Sequence, residues 1–203
     1  TEKFDPDPLR YYLTIISPLD KDADFTWEDF VRKNNDELAD IIGNFIHRSL
    51  MFTHQFYDGK IPQPGKDLPM GLIRETVETA NAVGELIEEH EFHRALRSIL
   101  SLSASGNKFL NDSQPWKTRI TNPEAAAQVL YIADQVVRSL ALLLAPFLPF
   151  SAEKLWKTLN LQGSIHQQRW SSITERLEPG HRINRPTPLF HKIGPEEIPK
   201  LSM

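Results

Sequence analysis

Asn44 and Arg48 stand four residues apart in a stretch that reads as helix, so their side chains leave one face about one turn apart. An amide offers both donor and acceptor, and a guanidinium offers several donors and accepts nothing. Side by side on an acid-free surface, they can hydrogen-bond base edges and sugars, and arginine can also stack on a base. The acid-free condition is met: five carboxylates fall between Glu28 and Asp40, then none from Ile41 to Tyr57, where the polar groups include Asn44, His47, Arg48, His54 and Gln55. An ordinary exposed stripe has the same spacing, so both readings stay open. A second feature is Gln114-Pro-Trp-Lys117. A tryptophan directly after proline, at a junction between helices, suits stacking on an unpaired base. Lys117 and Arg119 add positive charge there, with no acid before Glu124. The alternative is an indole that plugs the end of a bundle.

Other chemistry finds little support. The chain has no cysteine, which excludes a disulfide framework, a thiolate zinc site and a thiol nucleophile. Its nine glycines are scattered, without a phosphate-cradling loop or dinucleotide fingerprint. His90 and His93 lie three apart, and His47 and His54 seven apart, but none follows a glutamate at the spacing a di-iron bundle needs. They read as surface or junction histidines. No serine sits in a Gly-x-Ser-x-Gly elbow. Glu88, Glu89 and Glu91 form a run near a helix end, read as a solvated face. No catalytic constellation emerges.

The elements that must position these residues are helices divided by proline. Asp7-Pro8 opens a short apolar run that Ser17-Pro18 closes, with Asp7 expected as N-cap and Pro8 in the first turn. A polar loop, Asp20 to Asp24, follows. Thr26-Trp-Glu-Asp29 resembles a capping box and starts the longest periodic stretch, to about Tyr57, with Phe45 and Phe52 expected on a core face. Asp58-Gly59 ends it. Further helices are expected over Met70 to Glu88, from Glu91 to before Pro115 with a weak stretch at Ser103 to Gly106, from Pro123 behind an Asn122 cap, and over Ser151 to Asn160. Pro146 and Pro149 bend or end the fifth. Beyond Leu161 the pattern fails, and only Leu189-Phe190 and Ile193 suggest anchoring. The expected architecture is all-α: an antiparallel bundle of about five to six helices over residues 1–160, with an extended C-terminal tail over 161–203 that packs on the bundle or on another domain.

At 203 residues, 40% hydrophobic and 25% charged, the chain is long enough to bury a core without a staple. The most apolar stretch, Ala141 to Phe150, is ten residues long and carries two prolines, too short for a membrane span. The charged start, TEKFDPDPLR, lacks a signal peptide's apolar core, so a cytoplasmic protein is expected. A net charge of -4 means that any nucleic acid must be met by a local site.

Four passages resemble the C-terminal part of the methionyl-tRNA synthetase family. Asp5-Pro-Asp-Pro-Leu-Arg-Tyr-Tyr-Leu13 is similar to the segment after that family's KMSKS catalytic loop. Asn44-Phe-Ile-His-Arg48 matches its Asn-x-x-x-Arg helix motif, and Asp112-Ser-Gln-Pro-Trp116 is similar to the loop bearing its anticodon-reading tryptophan. Residues 180–193 are similar to the tail after its bundle. The resemblance implies a helical anticodon-binding domain of a class I aminoacyl-tRNA synthetase, with Asn44, Arg48 and Trp116 on the CAU anticodon; His47, which is not part of the matched motif, and the cations Lys117 and Arg119 are candidate auxiliary RNA contacts. It implies as partners the methionine tRNA and a catalytic domain of the same parent chain, with no membrane. ATP, magnesium and zinc are expected in that catalytic part and no cofactor in this fragment, which lacks the HIGH and KMSKS signatures and starts just after the catalytic loop. The alternatives are the corresponding domain of a leucine, valine, isoleucine or cysteine enzyme, or a helical protein-interaction module.

Overall fold

The computed structural model describes residues 5–17 and 24–197. Pro18 and most of the loop expected at Asp20 to Asp24 lie outside them. The first helix, α1 (Pro6–Ile16), starts one proline earlier than expected, with Asp5 in the cap position and Pro6 in the first turn. Asp7 is not the cap. It is fully buried, and its Oδ2 accepts the Ser151 backbone N–H at 2.6 Å. The carboxylate therefore caps a different helix, α8 (Pro149–Thr158), where unpaired N–H groups and the helix dipole favour an anion.

One helical run extends from Trp27 to Phe56. It comprises α2 (Trp27–Lys33), a π-helical segment (Asn34–Gly43) and α3 (Asn44–Phe56). The Thr26 hydroxyl accepts the Asp29 N–H at 3.2 Å, as the capping pattern requires. The π segment is the unexpected part, because a hydrophobic period does not separate i→i+5 from i→i+4 hydrogen bonding. Such segments are rare and cluster at functional sites.

Next come α4 (Gly71–Glu88) and α5 (Phe92–Ser113), which pack together. The sequence weakens at Ser103 to Gly106, yet α5 runs through unbroken. Its small residues are there for packing. A Cβ on Gly106 would lie 2.5 Å from the Phe45 ring, which is completely buried against this turn.

A short α6 (Pro115–Thr121) leads into α7 (Pro123–Leu144), whose Asn122 cap accepts the Ala125 N–H at 3.1 Å. All residues from Val129 to Leu144 are buried. This corrects the apolar-stretch reading: α7 is long and apolar enough to cross a bilayer, but 94% of its most apolar window is buried inside the protein. Its apolar surface is covered by the other helices. A buried leucine or valine there is worth about 1.5–3 kcal/mol.

After α8 the chain forms short 3-10 turns at Ile165–Gln167, Trp170–Thr174 and Pro195–Glu197 and otherwise runs without helix. Ile173, Leu177, Ile183, Leu189 and Phe190 enter the main core. Polar side chains of α7 grip this segment: Gln135 both donates to the Leu177 carbonyl and accepts its N–H, and the Arg138 guanidinium donates to the Ser172 carbonyl. Farther along, Asn35 donates to the Ile193 carbonyl at 2.8 Å and accepts the Ile193 N–H at 2.9 Å, while Asn34 donates to the His191 carbonyl. The π segment is thus the clamp for residues 191–193.

Candidate nucleic-acid interface

Trp116 does not sit on a loop tip. Gln114 takes a left-handed conformation (φ 44°), which lets α5 stop and α6 start with no loop between them. Pro115, fully suited to a first helical position, is buried behind it. The Lys117 and Thr118 N–H groups then close on the Gln114 carbonyl at 2.8 and 2.9 Å. Trp116 is therefore held on the rigid first turn of α6, half-buried and outside the core.

Its ring meets α3. The Arg48 guanidinium carbon lies 5.3 Å from the Trp116 ring centroid and 6.0 Å from that of Phe52. Phe52 and Trp116 are 5.4 Å apart and tilted by 36°, and Phe52 stacks on Phe56 at 5.4 Å. Arg119 closes the row, 4.3 Å over the Phe56 ring. The assignment of Phe52 to the core face is thereby corrected. Asn44, Arg48, Phe52 and Phe56 are each four residues apart, so they share one stripe, and Phe52 is only partly buried. Phe45 is fully buried, whereas Phe52 is partly buried and packs against the core from the Arg48 stripe.

α5 supplies a second ladder that the sequence reading missed. Asn107 and Asn111, also four apart, face Asn44 and Arg48: Asn44 Nδ2 donates to Asn107 Oδ1 at 3.1 Å, and Arg48 Nη2 donates to Asn111 Oδ1 at 2.9 Å. Asn107 Nδ2 in turn donates to the Ile41 carbonyl at 2.9 Å. A repeated amide at helical spacing was the available signal.

Among the described residues, neither Arg48, Lys117 nor Arg119 forms an ion pair with a carboxylate. Burial pulls the Arg48 pKa below its ordinary value, and the guanidinium stays charged at neutral pH. Lys117 is exposed. His47 stands apart from the aromatic row. It lines a cleft of about 210 Å³ with Asp40, Gly43, Asn44, Phe190 and Lys192. Its Nδ1 is buried without a partner among the described residues, and burial lowers its pKa, so the ring is neutral at pH 7.

The patch can do three things: stack a base on an indole, present an uncompensated cation to RNA, and offer amide groups to a base edge. A larger cleft, about 540 Å³, lies beside α8, but Lys154 there donates to the Pro188 carbonyl and Lys157 pairs with Glu153. Among the described residues no group of three His, Asp or Glu side chains could hold a metal ion.

The family described as the anticodon-binding domain of methionyl-tRNA ligase matches residues 62–202. The chain belongs to that family. Residues 1–50, outside that match, are matched by a second family, described as tRNA synthetases class I (M). The chain is 44% identical to the methionine–tRNA ligase of Methanobrevibacter smithii, over 98% of this chain and 30% of that protein. It is 40% identical to that of Methanopyrus kandleri, again over 98% and 30%. The apo crystal structure of Mycobacterium tuberculosis methionyl-tRNA synthetase superposes with a TM-score of 0.87 at 29% identity, covering 93% of this chain and 39% of that one. The chain thus spans about a third of the length of the curated relatives it matches.

Proposed function

We propose that the anticodon-binding domain reads the CAU anticodon of the methionine tRNA with Trp116, Arg48 and Asn44. Trp116 is the stacking plane for a splayed base, Arg48 supplies donors and positive charge, and Asn44 supplies a base-edge contact. Lys117 and Arg119 add charge beside the loop, and His47 adds an auxiliary RNA contact. The parent enzyme then joins methionine to this tRNA with ATP and magnesium in a catalytic part of the same chain, which also carries zinc and shares the phosphate contacts.

One observation carries the reading. Arg48 is a half-buried cation with no carboxylate, held by Asn111 against the Trp116 and Phe52 rings. A structural arginine in such a place is normally paired, because burying an uncompensated charge is costly. An RNA loop supplies the missing electron-rich partner. The test is a titration of the chain with a CAU anticodon stem-loop. Trp116→Ala is expected to weaken binding by roughly 1–3 kcal/mol, about 5- to 150-fold. Binding unchanged by Trp116→Ala would remove the indole from the site.

A further inference from the structure

The amide of Asn44 has a fixed polarity, and a residue outside the proposed contact set fixes it. The Ile41 oxygen can only accept, so the Asn107 side-chain atom 2.9 Å from it must be the NH₂ group. This settles which way the Asn107 amide faces without reference to how its two ends are assigned. With Nδ2 committed to Ile41, the end of Asn107 that faces Asn44 is Oδ1, again an acceptor only. Asn44 must therefore turn its own NH₂ toward α5. Its Oδ1 is left pointing away from Asn107, and among the described residues no donor reaches it. It is not fully buried either, on a residue of intermediate exposure, so a ligand atom can reach it. The Ile41 carbonyl that anchors the relay belongs to the π segment, one turn before Asn44.

We infer that Asn107 is a positioning residue that holds Asn44 with its carbonyl outward, so that the site takes a nucleobase through an exocyclic amine. The inference rests on the proposed anticodon-binding role and adds to it a chemical rule. Cytosine and adenine carry such an amine; uracil and hypoxanthine carry a carbonyl at the same position and would set two acceptors against each other. Arg48 cannot take over this role, because it offers donors only and has no acceptor for an amine, which leaves the Asn44 carbonyl as the acceptor that the pair presents.

The experiment measures stem-loop affinity with two single changes, cytidine→uridine and adenosine→inosine, each of which converts the amine into a carbonyl. For the unaltered chain at least one change is expected to weaken binding by about tenfold, as for a buried acceptor left facing another acceptor. In Asn107→Leu the Asn44 amide is free to turn, and that penalty is expected to fall to below about threefold, while the loss caused by Trp116→Ala persists. A merely structural role for Asn107 would weaken all loops in proportion and leave the penalty unchanged, which overturns the inference alone. Failure of every loop to bind overturns the anticodon reading itself. Should Asn107→Leu not fold, hydrogen exchange at the Asn44 side chain in the unaltered protein decides the matter. One of its two Nδ2 protons is expected to be protected by the bond to Asn107; two freely exchanging protons mean that the amide faces the other way.

Discussion

Arg48 touches two rings and an amide but no carboxylate, and that combination separates a binding residue from a structural one. The cation–π contacts are worth about 0.5–1 kcal/mol each at a partly exposed position. Replacing Arg48 with glutamine retains a donor for Asn111 and removes the charge. Arg48→Gln is therefore expected to lower stability by no more than about 1 kcal/mol while weakening stem-loop binding about tenfold or more. Denaturant unfolding alongside the titration checks this; a large loss of stability with unchanged affinity would make the residue structural. At this scale the sequence was informative where spacing and chemistry coincide. Asn44 and Arg48 were legible as a pair because i, i+4 geometry is independent of tertiary context. Phe52 extends the same arithmetic by one turn, yet hydrophobicity pulled it into the core assignment. Asn107 and Asn111 showed only as a repeated amide, because their value lies in facing another helix across 63 residues of chain.

Elements show a different division. Helix starts with a side-chain cap and proline, such as Asn122-Pro123, could be placed from local chemistry alone. The junction at Gln114 could not, since a non-glycine residue with positive φ has no sequence signature, and the segment was expected as a loop rather than the first turn of α6. Gly106 shows why a weak stretch need not break a helix. In an exposed helix Gly→Ala stabilises by about 1 kcal/mol. Here the added methyl meets the Phe45 ring, and overpacking of this kind costs about 1–3 kcal/mol, so the clash wins. Gly106→Ala is expected to destabilise the fold, seen as a lower denaturation midpoint at constant slope; a stabilised variant would show that α3 and α5 can separate freely. The tail gives a companion case. Phe190 packs on Gly43, where a Cβ would approach its ring to 3.3 Å, immediately before Asn44. Phe190→Ala is expected to cost roughly 3 kcal/mol and to expose residues 161–197 to protease. Unchanged proteolysis would mean that the asparagine clamp at Asn34 and Asn35 holds the tail unaided.

Across the whole molecule, α7 organises the core and carries its one fully buried carboxylate among the described α7 residues. Asp134 Oδ2 accepts the Thr53 hydroxyl at 2.7 Å, and its other oxygen has no partner among the described residues. Burial raises its pKa well above the ordinary value, and the Thr53 bond only partly opposes this. A carboxyl whose folded pKa exceeds its unfolded one near 4 contributes nothing adverse below that value and destabilises progressively as pH rises above it. Asp134→Asn is therefore expected to gain stability relative to the unaltered chain increasingly from about pH 4 upward, measured by denaturant unfolding at several pH values. A difference that does not vary with pH would mean that folding leaves the Asp134 pKa unshifted. The all-α architecture was legible because helix periods and prolines are local. The depth of α7 was not, since burial on every side depends on how the other helices are arranged around it. The net charge of -4 likewise conceals a local patch where, among the described residues, Arg48, Lys117 and Arg119 form no ion pair with a carboxylate. The most direct test of that patch follows the four indole N–H resonances in an NMR titration with the CAU stem-loop. The Trp116 signal is expected to move with loop concentration while those of Trp27, Trp156 and Trp170 stay in place. A loop that binds with Trp116 unmoved, or that shifts Trp170 instead, would contradict anticodon reading at this site.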